Sequence, residues 1–545
     1  MAAGAQQQEV LGPGAWSDGV LLSRLDGEED AGFRRPTCDT DPAREVPEMT
    51  QQTPAPGHQT RARTHPAPSM PNSVQNPLPR ATRAETALIL RDVLAPMAAK
   101  GPIVRRPGVV AAVERLDLEA RAVRRVQALS EKYGRGPLLV PLPGRPLALV
   151  LDPDHVHRIL DQTPEPFAAA ETLKRRALQH FQPGVSLISH GGDRAVRRHL
   201  NEMVLDPDHP VHRMAEVFLP VVHEETDQML AEIDGDGGAL DWERFSRTWF
   251  RIVRRLVMGD SAREDEDFTA LLDDLRQRGN LAFLRPVDEE AREEFLSRIQ
   301  DALDRAEPGS LAAVMSEVHA QGAPGEFDAD GGKPAHQVPQ WLFAFDPAGM
   351  ATFRALALLA SHPARLRTAR IQLEDESGED APTLELLRAT VLEALRLWPT
   401  TPLILRETTM EVEFEHGIMP AGVSVLIFAP FFHRDERRLD FAHRFAPEIW
   451  EERMSQSGQH EPQHEVRRDG QREDSPAQGE WPLMPFSLGT GICPGRQLVL
   501  LITSSMLARV LEGHEVDLLS HSLGREKELP SLLDPYALEF RLTER

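Results

Sequence analysis

The chain has 545 residues, 41% of them hydrophobic and 27% charged, with a formal net charge of −24. This composition is globular rather than fibrous, and the negative charge argues against a nucleic-acid partner, whose binding rests on neutralising phosphates. The two cysteines, Cys38 and Cys493, sit in unrelated contexts, so no disulfide framework is expected and a cytoplasmic location is.

Residues 1–84 are rich in Pro, Gln, Ala, Gly and Thr without a sustained period, too polar to offset chain entropy. They read as a disordered tail or as sequence upstream of the true start. No uninterrupted apolar run is long enough to span a bilayer and no export signal opens the chain, so a soluble protein without membrane contact is expected. From residue 85 helical periodicity dominates. Residues 116–134 are amphipathic, and PLLVPLPG followed by RPLALVLD predicts two short strands around Pro143 and Gly144. PDHVHRILDQT restarts a helix, and helices follow in VHRMAEVFLPVVHEETDQMLAEI, WERFSRTWFRIVRRLVMG and EEAREEFLSRIQDALDRA. QWLFAFDPAGMATFRALALLASHP is apolar nearly all round, the mark of a helix buried through a core. GIMPAGVSVLIFAPFF returns to strand composition after a turn at Pro420–Gly422. Residues 455–480 are polar and read as a disordered insertion. With no repeat and no second linker, residues 85–545 are expected to form a single large domain, mainly α with a minor β-sheet.

The sharpest chemical signal is Phe486-Ser-Leu-Gly489-Thr-Gly491-Ile-Cys493-Pro494-Gly495, followed by the helical run LVLLITSSMLARVL. A lone cysteine in apolar surroundings is more often an inert core thiol. Here three glycines allow a tight turn and close approach of a flat ligand, and Pro494 suits a first helical turn. Cys493 at a helix start would be stabilised as a thiolate. Upstream, Glu393 and Arg396 stand at i and i+3 among Val391, Leu392, Ala394, Leu395, Leu397 and Trp398. Those neighbours favour a buried pair over a surface one. Glu385 and Arg388 share the spacing without the Leu-Trp-Pro sequel.

On these motifs the chain resembles the cytochrome P450 superfamily, in its soluble bacterial type, over most of residues 85–545. The resemblance implies that Cys493 is the axial ligand to the iron of haem b, in a loop patterned by Phe486, Gly489 and Gly495. It implies a structural network of Glu393 and Arg396, and propionate anchors at Arg406 and Arg197. The chain departs from the family's pattern at four places. Gly491 stands where an Arg or His commonly binds a propionate, and Asp193 where an aromatic donor does. Ile449, in Phe445-Ala-Pro447-Glu448-Ile449-Trp450, replaces an arginine of the Glu-x-x-Arg network, leaving Glu393 and Arg396 to pair alone or with help from Arg453. In Ala344-Phe345-Asp346-Pro347-Ala348-Gly349 the family's acid survives as Asp346, but its alcohol is Pro347, where a helix kink is expected. Thr352 lies too far along the helix to substitute.

The resemblance implies a monooxygenase of secondary metabolism, acting on a small organic substrate with dioxygen. Without a flavin or nicotinamide fingerprint, electrons would come from an external ferredoxin or flavodoxin with its reductase, and a monomer is expected. A peroxide-using haem-thiolate enzyme is the first rival reading and a non-catalytic haem sensor or scaffold the second. Terpenoid, polyketide and fatty-acid substrates are all compatible with the apolar linings expected.

Overall fold

Short apolar runs flanking Pro-Gly turns set the sheet. Leu138–Val140 and Leu147–Leu149 form the expected hairpin, with Leu138 opposite Leu149. Gly144 between them takes φ +81°, a conformation that favours glycine. The computed structural model describes residues 78–322, 332–376, 383–459, 481–524 and 527–545. Its main sheet has five strands in the order Leu138–Val140, Leu147–Leu149, Ser424–Phe428, Leu403–Thr408 and Phe167–Ala168. Only the second and third of these pair in parallel. The strand-like run after Pro420 ends sooner than its composition indicates, because Ala429–His433 turns into helix with Pro430 in the first turn.

Helices occupy the segments that carry the 3.6-residue pattern: Leu118–Tyr133, Pro153–Asp161, Ala215–Asp236, Trp242–Met258 and Glu289–Arg305. Aspartates cap three of them, Asp152 accepting from Asp154 N–H at 3.0 Å, Asp241 from Arg244 at 2.9 Å and Asp288 from Ala291 at 3.2 Å.

The long apolar helix is Pro334–Ser361, and by length and composition alone it could cross a membrane. Here it threads the protein, packed against Trp242–Met258, Glu289–Arg305, Glu385–Leu397 and Arg496–Gly513. Being covered on several sides is why its sequence is apolar all round. Its one buried cation, Arg354, donates to the carbonyls of Leu533 (2.9 Å) and Trp398 (3.1 Å). The described residues fall in one unit with a helical core and a second apolar cluster around the sheet.

The fold begins before residue 85. Leu78 and Ala81 are buried, Ala81 N–H donates to the Leu139 carbonyl (2.8 Å), and Leu139 N–H returns a bond to Pro79 (2.9 Å). The rest of the expected tail, residues 1–77, lies outside the described residues. Of the expected insertion, 455–459 continue the backbone of the helix Glu448–Gln459, and 460–480 lie outside the described residues.

Candidate cofactor and active site

Tight backbone turns present Cys493. Ser487 and Gly489 adopt φ +66° and +60°, Ile492 N–H bonds the Gly489 carbonyl (3.1 Å), and Cys493 N–H bonds the Phe486 carbonyl (3.0 Å). A Cβ on Gly489 would lie 2.5 Å from Asp161 Oδ1 and 2.7 Å from its backbone nitrogen, so this position needs glycine on two counts. At Gly495 the protein makes no such demand, the nearest atom being Leu205 Cδ1 at 3.8 Å. Phe486 is partly buried against the helical core.

The helix after the loop starts at Arg496, later than its sequence suggests, so Cys493 precedes the first turn rather than opening it. Burial pushes the Cys493 thiol up, while the Gly495 N–H on the sulfur and the charges of Arg198 and Arg496 oppose that rise. The expected lowering by the helix terminus is therefore outweighed. Such a thiol becomes a stable thiolate when a metal cation meets it. Among the described residues no three His, Cys, Asp or Glu side chains are grouped to hold a metal. Arg198 braces the loop by donating to the Ile492 carbonyl at 2.8 Å.

Arg406, on the strand Leu403–Thr408, is 4% exposed. Its Nε donates to Thr163 Oγ1 (2.9 Å) and its Nη1 to the Leu405 carbonyl (3.0 Å), and no carboxylate among the described residues pairs with it. Burial, and then the charge of Arg194, pulls its pKa down to about 10. A Cβ on Gly491 would lie 2.7 Å from Arg406 Nη2, so the glycine that replaces the family's usual donor makes room for this guanidinium. Arg197 is differently engaged. It is buried and donates to Ser189 Oγ (2.6 Å) and to Asp193 Oδ2 (2.9 Å). Asp193 thus pairs with Arg197, and the nearby Arg194 is the arginine whose charge reaches Arg406.

Glu393 and Arg396 are fully buried and paired twice, Nε to Oε2 at 2.5 Å and Nη2 to Oε1 at 2.9 Å. Arg396 also donates to the carbonyls of His433, Phe441, Ala442 and Arg444. Glu393 accepts from Ala446 N–H (2.6 Å) and from Trp450 Nε1 (3.1 Å). The indole of Trp450 therefore supplies a donor to the network that has lost its arginine at Ile449. Arg453 lies over the Trp450 ring, 5.5 Å from its centre. Removing one partner of such a pair costs about 3–5 kcal/mol, because a charge is left buried.

On the long helix, Asp346 forms an ion pair with Arg276 of the helix Glu266–Gly279. Arg276 is almost wholly buried, also meets Asp273 Oδ1 at 2.9 Å, and lies over the Phe343 ring. Nothing in the spacing of the two helices marked Arg276 as this partner. The helix runs on through Pro347 to Ser361 without a break, although proline there has no N–H to give its ladder. Trp249 Nε1 donates to the Phe345 carbonyl (2.8 Å), and Gly349 leaves room for that indole, 2.9 Å from where a Cβ would stand. Thr352 Oγ1 is spent on the Ala348 carbonyl (2.9 Å).

The cytochrome P450 family model matches residues 345–536. Cytochrome P450 81Q32 of Catharanthus roseus is 23% identical over 335 residues, covering 55% of this chain and 62% of that protein. Cyclooctat-9-en-7-ol 5-monooxygenase of Streptomyces melanosporofaciens is 26% identical over 240 residues, 43% of this chain and 46% of that protein. The chain thus spans less than two thirds of these relatives. Among solved structures, a cytochrome P450 named CYP102L1 superimposes with a TM-score of 0.61 at 18% identity, covering 86% of this chain and 99% of that one. A zebra fish cytochrome P450 with abiraterone gives 0.59 at 18% identity, covering 77% and 98%. At these identities the superpositions establish the fold.

Proposed function

Because this chain belongs to the cytochrome P450 superfamily, we propose that it is a haem-thiolate monooxygenase in which Cys493 holds the iron and a small organic molecule is oxidised. The observation that carries this reading is the joint placement of the Cys493 loop and an unneutralised, buried Arg406 beside Gly491. The residues fit haem b, the family's cofactor: the sulfur needs a cation and the guanidinium an anion. When bound, haem would supply the reductive activation of dioxygen, with the thiolate pushing electron density toward the iron. Gly495 N–H and Arg198 hold the sulfur and its loop in place, and Arg406 neutralises a propionate. Electrons are taken to come from an external ferredoxin or flavodoxin system, and the chain to act as a monomer.

Proton delivery is where the chain's own residues restrict the chemistry. Pro347 has no hydroxyl, Thr352 is spent on its own helix, and Asp346 is tied to Arg276. Protons then reach the site through Asp346 once it leaves Arg276, through ordered water, or through a hydroxyl of the substrate. The same observation favours peroxide use as a second reading, since peroxide brings its own protons.

The ferrous carbonyl complex should show the strongly red-shifted Soret band of thiolate ligation, and Cys493→Ser should abolish it. An unchanged spectrum in that variant defeats the assignment. Efficient turnover with added peroxide alone supports the second reading. Tight coupling of product to reduced nicotinamide, with a substrate lacking a hydroxyl, rules out the route through the substrate and leaves Asp346 or ordered water to carry the protons.

A further inference from the structure

Lys174 and Arg406 converge on one oxygen. Lys174 Nζ donates to the Leu405 carbonyl at 3.2 Å, and Arg406 Nη1 donates to the same carbonyl at 3.0 Å. Lys174 also donates to the Ala169 carbonyl at 2.8 Å, so its two protein partners are neutral. Arg194, on the helix Gly191–Leu205, is the third charge felt by both groups. Among the described residues, none of the three forms an ion pair. The one carboxylate beside Lys174 is fully buried Glu171, already occupied by the backbone N–H groups of Leu173 and Lys174 and by Ser424 Oγ. Arg406 is buried, Lys174 and Arg194 are half-buried, and beside Arg194 the Arg198 charge stands against that of Glu202, so cationic groups outnumber the carboxylates around them, which is costly unless an anion meets them.

We propose that Lys174 and Arg194, with Arg406, form the seat for the two propionates of haem in this chain, taking the places vacated at Gly491 and Asp193. The excess of cationic groups suits two carboxylates, and with glycine at 491 the Arg406 guanidinium takes the space that a side chain there would need. The inference rests on the haem-thiolate reading and adds to it a residue, Lys174, in the segment after the strand Phe167–Ala168. It also links cofactor binding to pH. Burial, then the charges of Arg406 and Arg194, pull the Lys174 ammonium down to about 7, with Glu171 opposing. Propionates would raise it again, so above neutrality the haem-bound protein holds a proton that the haem-free protein has released. Affinity must then fall as pH rises, by linkage.

The test is transfer of haem from the purified holoprotein to excess apomyoglobin, followed optically from neutral to alkaline pH. Lys174→Met and Arg194→Gln should each lose haem faster by about ten-fold or more, the worth of one charge-assisted contact. Lys174→Arg should retain haem like the unaltered protein but lack its alkaline increase in loss, because arginine stays charged. Proton exchange at Cys493 is common to all variants and cancels in the comparison. Haem loss that is unchanged in Lys174→Met, or accelerated by Arg197→Gln and not by Arg194→Gln, overturns the inference. Absence of any thiolate-ligated haem in the unaltered protein would instead defeat the haem-thiolate reading.

Discussion

His433 joins two parts of the molecule that are distant in sequence. Its Nε2 accepts from Met484 N–H (2.9 Å), just ahead of the Cys493 loop, which assigns the proton to Nδ1, facing the Arg396 carbonyl at 3.2 Å. The Met484 bond requires the neutral ring, and burial, then the charge of Arg396, lowers its pKa to about 3, against the bond to the Arg396 carbonyl. An unfolded histidine titrates near 6.5. Between these values the unfolded chain binds a proton that the folded chain refuses, so stability is full above about 6.5 and is lost as pH falls toward 3. Urea midpoints should drop between neutral pH and about pH 5, and His433→Gln should lower the neutral midpoint while flattening that drop. An equally steep drop in the variant would place the acid sensitivity elsewhere. The burial of Glu393 and Arg396 was legible from the apolar residues around them. Trp450 was not, because an indole N–H reads as packing surface until its distance to a carboxylate is known.

One helical end ties three segments together. Arg276 reaches Asp346, and Asn280, at the cap of the same helix, grips the segment 101–106. Asn280 Oδ1 accepts from Ile103 (2.8 Å) and Val104 (3.2 Å) N–H, and Nδ2 donates to the Val104 carbonyl (2.8 Å). Arg105 donates onward to the Thr400 carbonyl at 2.6 Å. Since Asn280 satisfies three backbone groups at once, Asn280→Ala should free this strap, and trypsin should cut after Arg105 markedly faster with the rest of the chain resistant. Cleavage at the unaltered rate would show that Arg105 alone holds it. The partners of this helix are not legible in the sequence, since an asparagine at a helix end ordinarily reads as a cap and nothing more.

For the molecule as a whole, the long buried helix, the hairpin around Gly144 and the strand after Pro420 could be read from residue order, because burial on several sides or on one leaves a direct imprint there, whereas Leu403–Thr408 and Phe167–Ala168, which complete the main sheet, carried no such signal. The small sheet of Leu240–Asp241, Glu539–Glu544 and His514–Leu518 could not, since its shortest strand is two residues long and pairs across most of the chain. Composition also misplaced the start of the domain. A chain beginning at residue 78 should retain haem and stability, whereas one beginning at residue 85 loses buried Leu78 and Ala81 and the Thr82–Glu85 capping box. The shorter form should be less stable by on the order of 3 kcal/mol. Equal melting temperatures for the two would return residues 78–84 to the tail.

The proposed cofactor seat is assembled from pieces that a ribosome makes at very different times. Lys174 and Arg194 emerge roughly 300 residues ahead of Cys493, on the order of 15–60 s at ordinary rates of synthesis. Arg406 emerges partway through that interval and the Cys493 loop only at its end, so cofactor capture belongs to the end of synthesis or after release. Haem supply should then govern the yield of folded protein through its final stage, and a cell short of haem would accumulate full-length chain whose helices are formed and whose positive pocket still awaits its anion.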